Sequence, residues 1–170
     1  HPTNFGKMAL NMKTFIPATP YGIMELLKRY NIDTVGKHTV VIGRSHIVGR
    51  PISILMNSKG NPGDSTVTVV HSRTRNIEEF TKNADIIISA LGIPDFLNSN
   101  MIKEGVVIID VGITRVKDDN NPKGYVIKGD VDFESVKSKA SYITPVPGGV
   151  GPMTIAMLLK NTLQSREFKS

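Results

Sequence analysis

The stretch VVIGRSHIVGRP, residues 40–51, decides the fold, because it predicts a buried strand that runs into a glycine-containing turn and then a helix. It matches the dinucleotide-binding fingerprint only in part. Gly43 and Gly49 lie six residues apart, but Ser45 stands where the fingerprint has its middle glycine, and Arg44 follows the first glycine. Two interpretations are open from this stretch alone: a nucleotide site with altered chemistry, or an ordinary strand-turn-helix that holds two glycines.

Outward from this stretch, short apolar strands alternate with helical segments. Strands are predicted at residues 38–43, 66–71, 85–91 and 105–112, with a last extended segment at 141–147. Helices are predicted at 19–31, with Thr19 as N-cap, and at 76–84 and 132–140. Another helix is predicted to begin near residue 48, and the last, at 151–165, has an amphipathic pattern. Residues 117–124 are predicted to be an exposed hairpin loop. The alternation predicts an α/β fold in one domain, residues 1–170: a Rossmann-like doubly wound parallel sheet with helices on both faces.

Composition narrows the class of protein. No apolar run approaches the ~20 residues that span a bilayer, so no membrane segment is expected. The net charge of +6 fits either a nucleic-acid surface or sites for small polyanions, but no basic run is interleaved with aromatic residues, which argues against nucleic acid. The absence of cysteine excludes disulfides and thiolate metal sites and suits the cytoplasm. A chain that begins with His is expected to be a fragment or a processed product.

The turn after the first strand and the end of the second strand together indicate which dinucleotide would bind. Ser45 can donate a hydroxyl hydrogen bond to a phosphate at the helix N-terminus. NAD sites usually carry an acidic residue after the second strand, but this chain has HSRTR, residues 71–75, with Ser72, Arg73 and Arg75. These residues favour a ribose that carries a 2′-phosphate, and therefore NADP, although a basic surface loop would have the same sequence.

Three motifs then indicate a family. VVIGRSHIVGRP, DVGI (110–113) and above all YITPVPGGVGPMT (142–154) resemble the bifunctional methylenetetrahydrofolate dehydrogenase/methenyltetrahydrofolate cyclohydrolase family of the bacterial FolD type. The resemblance runs from the HP at position 1 through the last helix. It implies a Rossmann-like cofactor domain whose partner half, N-terminal to it, supplies the other wall of a folate cleft.

The resemblance also implies the site residues. Cofactor contacts would come from the first turn, the end of the second strand and the DVGI motif: Gly43, Arg44, Ser45, Ser72 and Ile113. The segment 147–154 would line the cleft, with Pro147 and Gly151 closest to folate and Thr154 beginning a helix that points into it. The catalytic Lys of the family, with its Tyr and Gln, belongs to the N-terminal half, so no catalytic residue is expected in this chain.

Other polar residues are given structural roles. The four histidines, His1, His38, His46 and His71, are scattered without ligand spacing, so no metal site is expected. Asp110 ends a strand, where a carboxylate can be catalytic, but a capping or turn role is the preferred interpretation.

These observations predict the NADP-binding domain of a homodimeric, cytoplasmic folate enzyme of one-carbon metabolism and purine biosynthesis. The enzyme would oxidise 5,10-methylenetetrahydrofolate and hydrolyse the methenyl product to 10-formyltetrahydrofolate, and this fragment alone would be inactive. Two alternatives stay open: a free-standing nucleotide-binding module, and another NADP-dependent oxidoreductase, such as a shikimate-dehydrogenase-like enzyme. The PVPGGVGPMT run argues against the second.

Overall fold

The computed structural model describes residues 1–167 and confirms an α/β architecture. Six helices, α1 to α6, alternate with seven strands, β1 to β7. In chain order they are α1 Pro2–Ala9, α2 Ala18–Arg29, β1 His38–Ile42, α3 Gly49–Asn57, β2 Thr66–Val70, α4 Ile77–Thr81, β3 Ile86–Ser89, a 3-10 turn Ser99–Met101, β4 Val107–Asp110, β5 Thr114–Lys117, β6 Tyr125–Lys128, α5 Phe133–Val136, β7 Tyr142–Ile143 and α6 Val150–Glu167.

Five strands form one parallel sheet in the order β2-β1-β3-β4-β7. The chain moves outward from β1 to β2 and then crosses to the other side of β1 to form β3, β4 and β7. The direction of winding therefore reverses between β1 and β3. In open parallel sheets, ligands bind outside the carboxyl ends of the strands at such a switch point.

Side chains of the central strands alternate between two cores, one on each face of the sheet. On one face, Val40, Ile42, Ile87 and Ile108 pack with residues from α4, α5 and the 3-10 turn. On the other, Val41, Ile86, Ile88 and Ile109 pack with Ile23 and Leu27 of α2, Ile52 and Met56 of α3 and Val150 of α6. Strands buried on both faces become continuous apolar runs of β-branched residues, which is why they are visible in the sequence. The predicted doubly wound sheet with helices on both faces is confirmed.

Several local predictions were wrong. Helix α1 was not predicted, because its Gly6 lowers helix propensity; its first turn is capped by Nδ1 of His1, which accepts from the Thr3 N–H at 3.3 Å. Pro17, and not Thr19, is the N-cap of α2. Helix α6 begins at Val150, so Thr154 does not begin it.

The last helix also departs from the amphipathic pattern that was predicted. Ile155, Leu158, Leu159 and Leu163 of α6 are each more than half exposed, whereas Val150 and Met157 are buried. Apolar side chains therefore lie on both the packed and the exposed side of this helix. Among the helices of residues 1–167, none combines the length and the hydrophobicity that a bilayer-spanning segment requires.

The predicted hairpin loop is confirmed. Strands β5 and β6 pair antiparallel outside the main sheet, and residues 118–124 connect them. Lys128 at the end of β6 forms an ion pair with Asp95 in the segment that follows β3. This exposed pair joins the end of the hairpin to the carboxyl edge of the sheet.

Asp110, the last residue of β4, holds its carboxylate in a cradle of backbone N–H groups. Its Oδ1 accepts from Gly112 at 2.9 Å and from Asp130 at 3.0 Å, and its Oδ2 accepts from Val131 at 3.1 Å. Gly129 leaves space for this carboxylate, because a Cβ there would lie 1.9 Å from Oδ2. Asp110 therefore joins the end of β4 to the segment that follows β6, in agreement with the turn role preferred from the sequence.

Burial raises the pKa of Asp110 to about 6 from its ordinary 3.8, against the three N–H donors, which lower it, and with a smaller contribution from Asp130, which raises it. The side chain is only 3% exposed, so water does little to stabilise the charged form. Asp110 thus takes up a proton more readily in the folded chain than in the unfolded chain.

The Asp110→Asn variant should lose one component of the pH dependence of stability. Between about pH 4 and pH 6 the folded chain keeps a proton on Asp110 that the unfolded chain has released, so the stability of the wild type should fall as pH rises. Relative to the variant, we expect the free energy of unfolding of the wild type to fall by about 2–3 kcal/mol from pH 4 to pH 7. Urea unfolding at several pH values measures this difference, and a constant difference would contradict the raised pKa.

A leucine-to-alanine substitution should lower the free energy of unfolding much more at a buried position of α2 than at an exposed position of α6. Leu27→Ala empties a site that is 1% exposed and should lower the free energy of unfolding by about 2–5 kcal/mol. Leu159→Ala, at a side chain that is 67% exposed, should change it by less than about 0.5 kcal/mol. Urea unfolding of the two variants tests this, and equal losses would show that α6 is packed as tightly as α2.

Candidate functional site

The first turn of the sheet, residues 43–49, is held by two close backbone approaches. Gly43 has φ +116°, and a Cβ there would lie 2.3 Å from the carbonyl oxygen of Ala90 at the end of β3. A Cβ at Gly49 would lie 2.3 Å from the carbonyl oxygen of Gly43. Any side chain at either position would push β1, β3 and α3 apart, so the glycine spacing produces the tight turn and close helix packing that it predicts.

Ser45 lies inside this turn, and its side chain already accepts hydrogen bonds from the protein itself. Its Oγ accepts hydrogen bonds from the N–H groups of Val48 at 3.1 Å and Gly49 at 3.2 Å. Two N–H groups at the start of α3 are thus already satisfied by the protein. The hydroxyl proton of Ser45 is not used in these bonds, so it is available to donate to a ligand.

Arg44 and Ser72 follow neighbouring strands of the sheet. Arg44 comes one residue after Gly43, whose N–H donates to the carbonyl oxygen of Val70 at 2.8 Å, and Ser72 comes two residues after Val70. Both residues are exposed at the carboxyl edge. They lie at the ends of paired strands, on the side where the sheet would receive a ligand.

The loop after β2 presents its arginines to solvent. The turn is shaped by its own side chains: Thr74 Oγ1 accepts from the His71 N–H at 3.0 Å, and the Arg73 N–H donates to Nδ1 of His71 at 3.2 Å. Within residues 1–167, no ion pair involves Arg44, Arg73 or Arg75. This corner of the site therefore carries positive charge that no acidic side chain in the described chain neutralises.

A pocket of about 760 Å³ opens beside this turn, between the end of β4 and the start of α6. Ile113, Pro147 and Gly151, three of the predicted site residues, line it together, and Val48 connects it to the first turn. Gly43, Arg44, Ser45 and Ser72 do not line it. The predicted residues thus fall into two adjoining groups: a polar, basic group at β1 and β2, and a largely apolar pocket at β4 and α6.

The PVPGGVGP turn forms much of the pocket wall. Gly149 donates its N–H to the carbonyl oxygen of Pro145 at 3.0 Å, and a Cβ at Gly149 would lie 2.5 Å from that oxygen. The turn is therefore compact, and its backbone together with its proline and valine side chains forms the wall. A smaller pocket of about 340 Å³ also borders this turn: Gly148, Gly149, Pro152 and Met153 of the predicted segment line it, but Pro147 and Gly151 do not.

Two residues that line the pocket, Thr19 and Asp110, were not predicted from the sequence to do so. Thr19 Oγ1 lies 3.0 Å from Thr154 Oγ1, and this hydrogen bond joins α2 to α6 across the pocket. No local sequence signal identifies a contact between residues so far apart in the chain. The described residues 1–167 contain no cluster of three or more His, Asp or Glu side chains that could hold a metal ion.

Comparison with known proteins adds independent observations. The family described as "Tetrahydrofolate dehydrogenase/cyclohydrolase, NAD(P)-binding domain" matches residues 17–170. The bifunctional protein FolD of Flavobacterium johnsoniae is 76% identical over the whole chain, which spans 58% of that protein's length.

Solved structures agree with this match. The bifunctional FolD of Campylobacter jejuni superposes with a TM-score of 0.90 at 50% identity, and this chain covers 57% of it. The FolD of Trypanosoma brucei, solved with an NADP cofactor and an inhibitor, superposes with a TM-score of 0.91 at 41% identity, with 58% of that chain covered. This chain is fully covered in both superpositions. It therefore belongs to the tetrahydrofolate dehydrogenase/cyclohydrolase family, and residues 17–170 correspond to the family's NAD(P)-binding domain.

Proposed function

We propose that residues 1–170 form the NADP-binding domain of a longer bifunctional enzyme. That enzyme would oxidise 5,10-methylenetetrahydrofolate to the methenyl compound and hydrolyse it to 10-formyltetrahydrofolate. The observation that carries the proposal is the junction of the first turn with the pocket lined by Ile113, Pro147 and Gly151, in a chain of this family. The chain spans about 58% of its relatives' length, so the remaining parts of the activity belong outside it.

A dinucleotide fits the geometry at the switch point. The lack of a Cβ at Gly43 and Gly49 lets β1, β3 and the start of α3 pack closely, so the turn is tight, and Ser45 has a hydroxyl proton to donate to a pyrophosphate there. The pocket beyond Val48 is large and open enough for a planar ring against Ile113, which is 65% exposed. The first turn would face the pyrophosphate of the cofactor, and the apolar surface at Ile113 would face its nicotinamide ring.

The 2′-phosphate of NADP would bind at the basic corner. Arg44, Ser72 and Arg73 follow the paired strands β1 and β2, and no described acidic side chain neutralises the arginines. Charge-assisted hydrogen bonds from arginine to phosphate are stronger than neutral ones. NAD lacks this phosphate and would lose these contacts.

The residues of this chain would orient the reactants rather than transfer protons. When bound, NADP supplies the hydride acceptor, and Ile113 would position its ring while Pro147 and Gly151 support the folate. Asp110, the acidic side chain of the pocket wall, already accepts three backbone N–H bonds. We therefore assign no catalytic residue to this chain and place the proton-transferring groups in the part of the enzyme that it does not include.

The wider setting follows from the same proposal. A 10-formyltetrahydrofolate product would supply one-carbon units to purine biosynthesis, and the absence of cysteine suits a cytoplasmic enzyme. A homodimer is proposed as the assembly, and folate as the partner ligand. We propose that the net charge of +6 favours the binding of NADP and folate, which are small anions, and not of a nucleic acid.

The Arg44→Ala variant tests the assignment of the cofactor. Loss of one charge-assisted hydrogen bond, worth roughly 1.5–3 kcal/mol before solvent screening, should weaken NADP⁺ binding by about tenfold. Binding of NAD⁺ should change by less than about twofold, because NAD⁺ has no 2′-phosphate for Arg44 to contact. Calorimetric titration of the 170-residue chain with each cofactor measures both constants.

Arg166→Ala, at an exposed position near the end of α6, is the matched control and should leave both cofactors unaffected. Equal affinities of the wild type for NADP⁺ and NAD⁺, or an equal loss of both in the Arg44 variant, would remove the 2′-phosphate assignment.

The isolated chain should catalyse neither reaction of the proposed enzyme. General acid–base groups contribute about 10²–10⁴-fold in rate, and enclosure of the folate between two walls adds more. Steady-state assays of methylenetetrahydrofolate oxidation and methenyltetrahydrofolate hydrolysis, with the full-length Flavobacterium johnsoniae FolD as positive control, test this. Turnover by the chain at a comparable rate would place the chemistry within these residues.

A further inference from the structure

A second buried acid, Asp130, lies behind the cofactor edge of the sheet. It is fully buried, and its carboxylate accepts the N–H groups of Leu91 at 2.6 Å and of Gly92 at 3.0 Å, with the Ser89 hydroxyl at 3.4 Å. Residues 89–92 are the end of β3 and the turn that follows it. Asp130 comes from a different part of the chain, directly after the β5–β6 hairpin, so this contact is long-range.

The backbone that Asp130 holds is also the backbone against which Gly43 packs. The Ala90 N–H donates to the carbonyl oxygen of Ile42 at 2.8 Å, and the Ala90 carbonyl is the group that a Cβ at Gly43 would strike. Residues 90–92 therefore form a wall that packs directly against the first turn at the carboxyl edge of the sheet. The Asp130 carboxylate holds this wall in place through the Leu91 and Gly92 N–H groups.

Asp110 connects Asp130 to the pocket. Its Oδ1 accepts both the Asp130 N–H and the Gly112 N–H, and Gly112 directly precedes Ile113. Gly112 also leaves the space that Asp130 needs, since a Cβ there would lie 2.3 Å from Oδ1 of Asp130. The two acids thus join the wall at 90–92 to the wall at 112–113.

A carboxylate is suited to this position because it has only acceptor atoms. It takes two neighbouring N–H groups and a hydroxyl, whereas an asparagine amide would direct its NH₂ group at one of those donors. Burial of a carboxylate costs free energy, and no ion pair among residues 1–167 offsets that cost at Asp130. Apolar packing would suffice to fill the space, but it would leave the N–H groups of Leu91 and Gly92 without acceptors.

We propose that Asp130 is a positioning residue for the nicotinamide cofactor, because its carboxylate holds residues 89–92 in place beside the first turn before the ligand arrives. The inference rests on the proposed function. It concerns the cofactor as a whole, so it applies to NADP and NAD alike, in contrast to the contact assigned to Arg44.

The Asp130→Asn variant tests the proposal by calorimetric titration of the 170-residue chain with NADP⁺ and NAD⁺. We expect both dissociation constants to rise at least tenfold while their ratio stays within about twofold of the wild-type ratio, because the wall loses shape but the 2′-phosphate contacts remain. Asp132→Asn is the matched control: Asp132 is a neighbouring acid whose side chain accepts from the Ser135 N–H at 3.3 Å and caps α5. Because Asn caps a helix about as well as Asp, this variant should keep nearly the wild-type stability and should change neither dissociation constant by more than about twofold.

Outcomes of the titration separate the inference from the proposed function. If the wild type binds neither cofactor, the proposed function fails and the inference fails with it. If the wild type binds NADP⁺ and a folded Asp130→Asn variant binds it equally well, only the inference is overturned. An equal loss in the Asp132 variant would also overturn it, because the effect would then follow from removing a negative charge in this part of the chain and not from the contacts of Asp130.

Amide hydrogen exchange on the wild-type chain decides the matter should the Asp130 variant not fold. A wall that is shaped in advance requires slow exchange of the Leu91 and Gly92 amides in the cofactor-free chain, with little change when NADP⁺ is added. Fast exchange in the free chain that becomes slow only with NADP⁺ would show that the ligand itself orders this wall, and would overturn the proposal.

Discussion

The close approach of Gly43 to the carbonyl of Ala90 sets the geometry on which the rest of the site depends. It brings the carboxyl ends of β1 and β3 together at the point where the winding of the sheet reverses. Because Gly49 makes a similar approach to Gly43, helix α3 begins directly on this turn. The shape of this edge therefore follows from how three backbone segments, β1, β3 and α3, pack against one another.

Two buried acids, Asp110 and Asp130, hold the carboxyl ends of further strands of the sheet in place. Asp130 holds the end of β3, Asp110 holds the end of β4, and a hydrogen bond from the Asp130 N–H to the Asp110 carboxylate joins them. Polar groups buried in this way cost stability unless all of them are bonded, and here each carboxylate has several donors. These buried polar contacts therefore hold the carboxyl ends of β3 and β4 in a fixed arrangement.

Much of the fold could be predicted from the sequence, because strands buried on both faces appear as short apolar runs such as VVI and IIIS. The first turn was equally visible through its glycines. Helix α1 was missed because Gly6 lowers its local helix propensity and because its N-cap is a histidine, which is not one of the usual capping residues. The contacts of Thr19 with Thr154 and of Asp130 with Leu91 join residues distant in sequence, and one sequence without its fold carries no signal for such pairs.

We infer that the carboxyl edge of β1, β2, β3 and β4 forms one preformed cofactor site. Titration of the isotopically labelled chain with NADP⁺, followed by amide chemical shifts, is the direct test. We expect saturable shifts concentrated at residues 43–49, 72–75, 90–92 and 112–113, with the amino ends of the strands unaffected. Shifts that are absent, or that cluster away from these four segments, would contradict it.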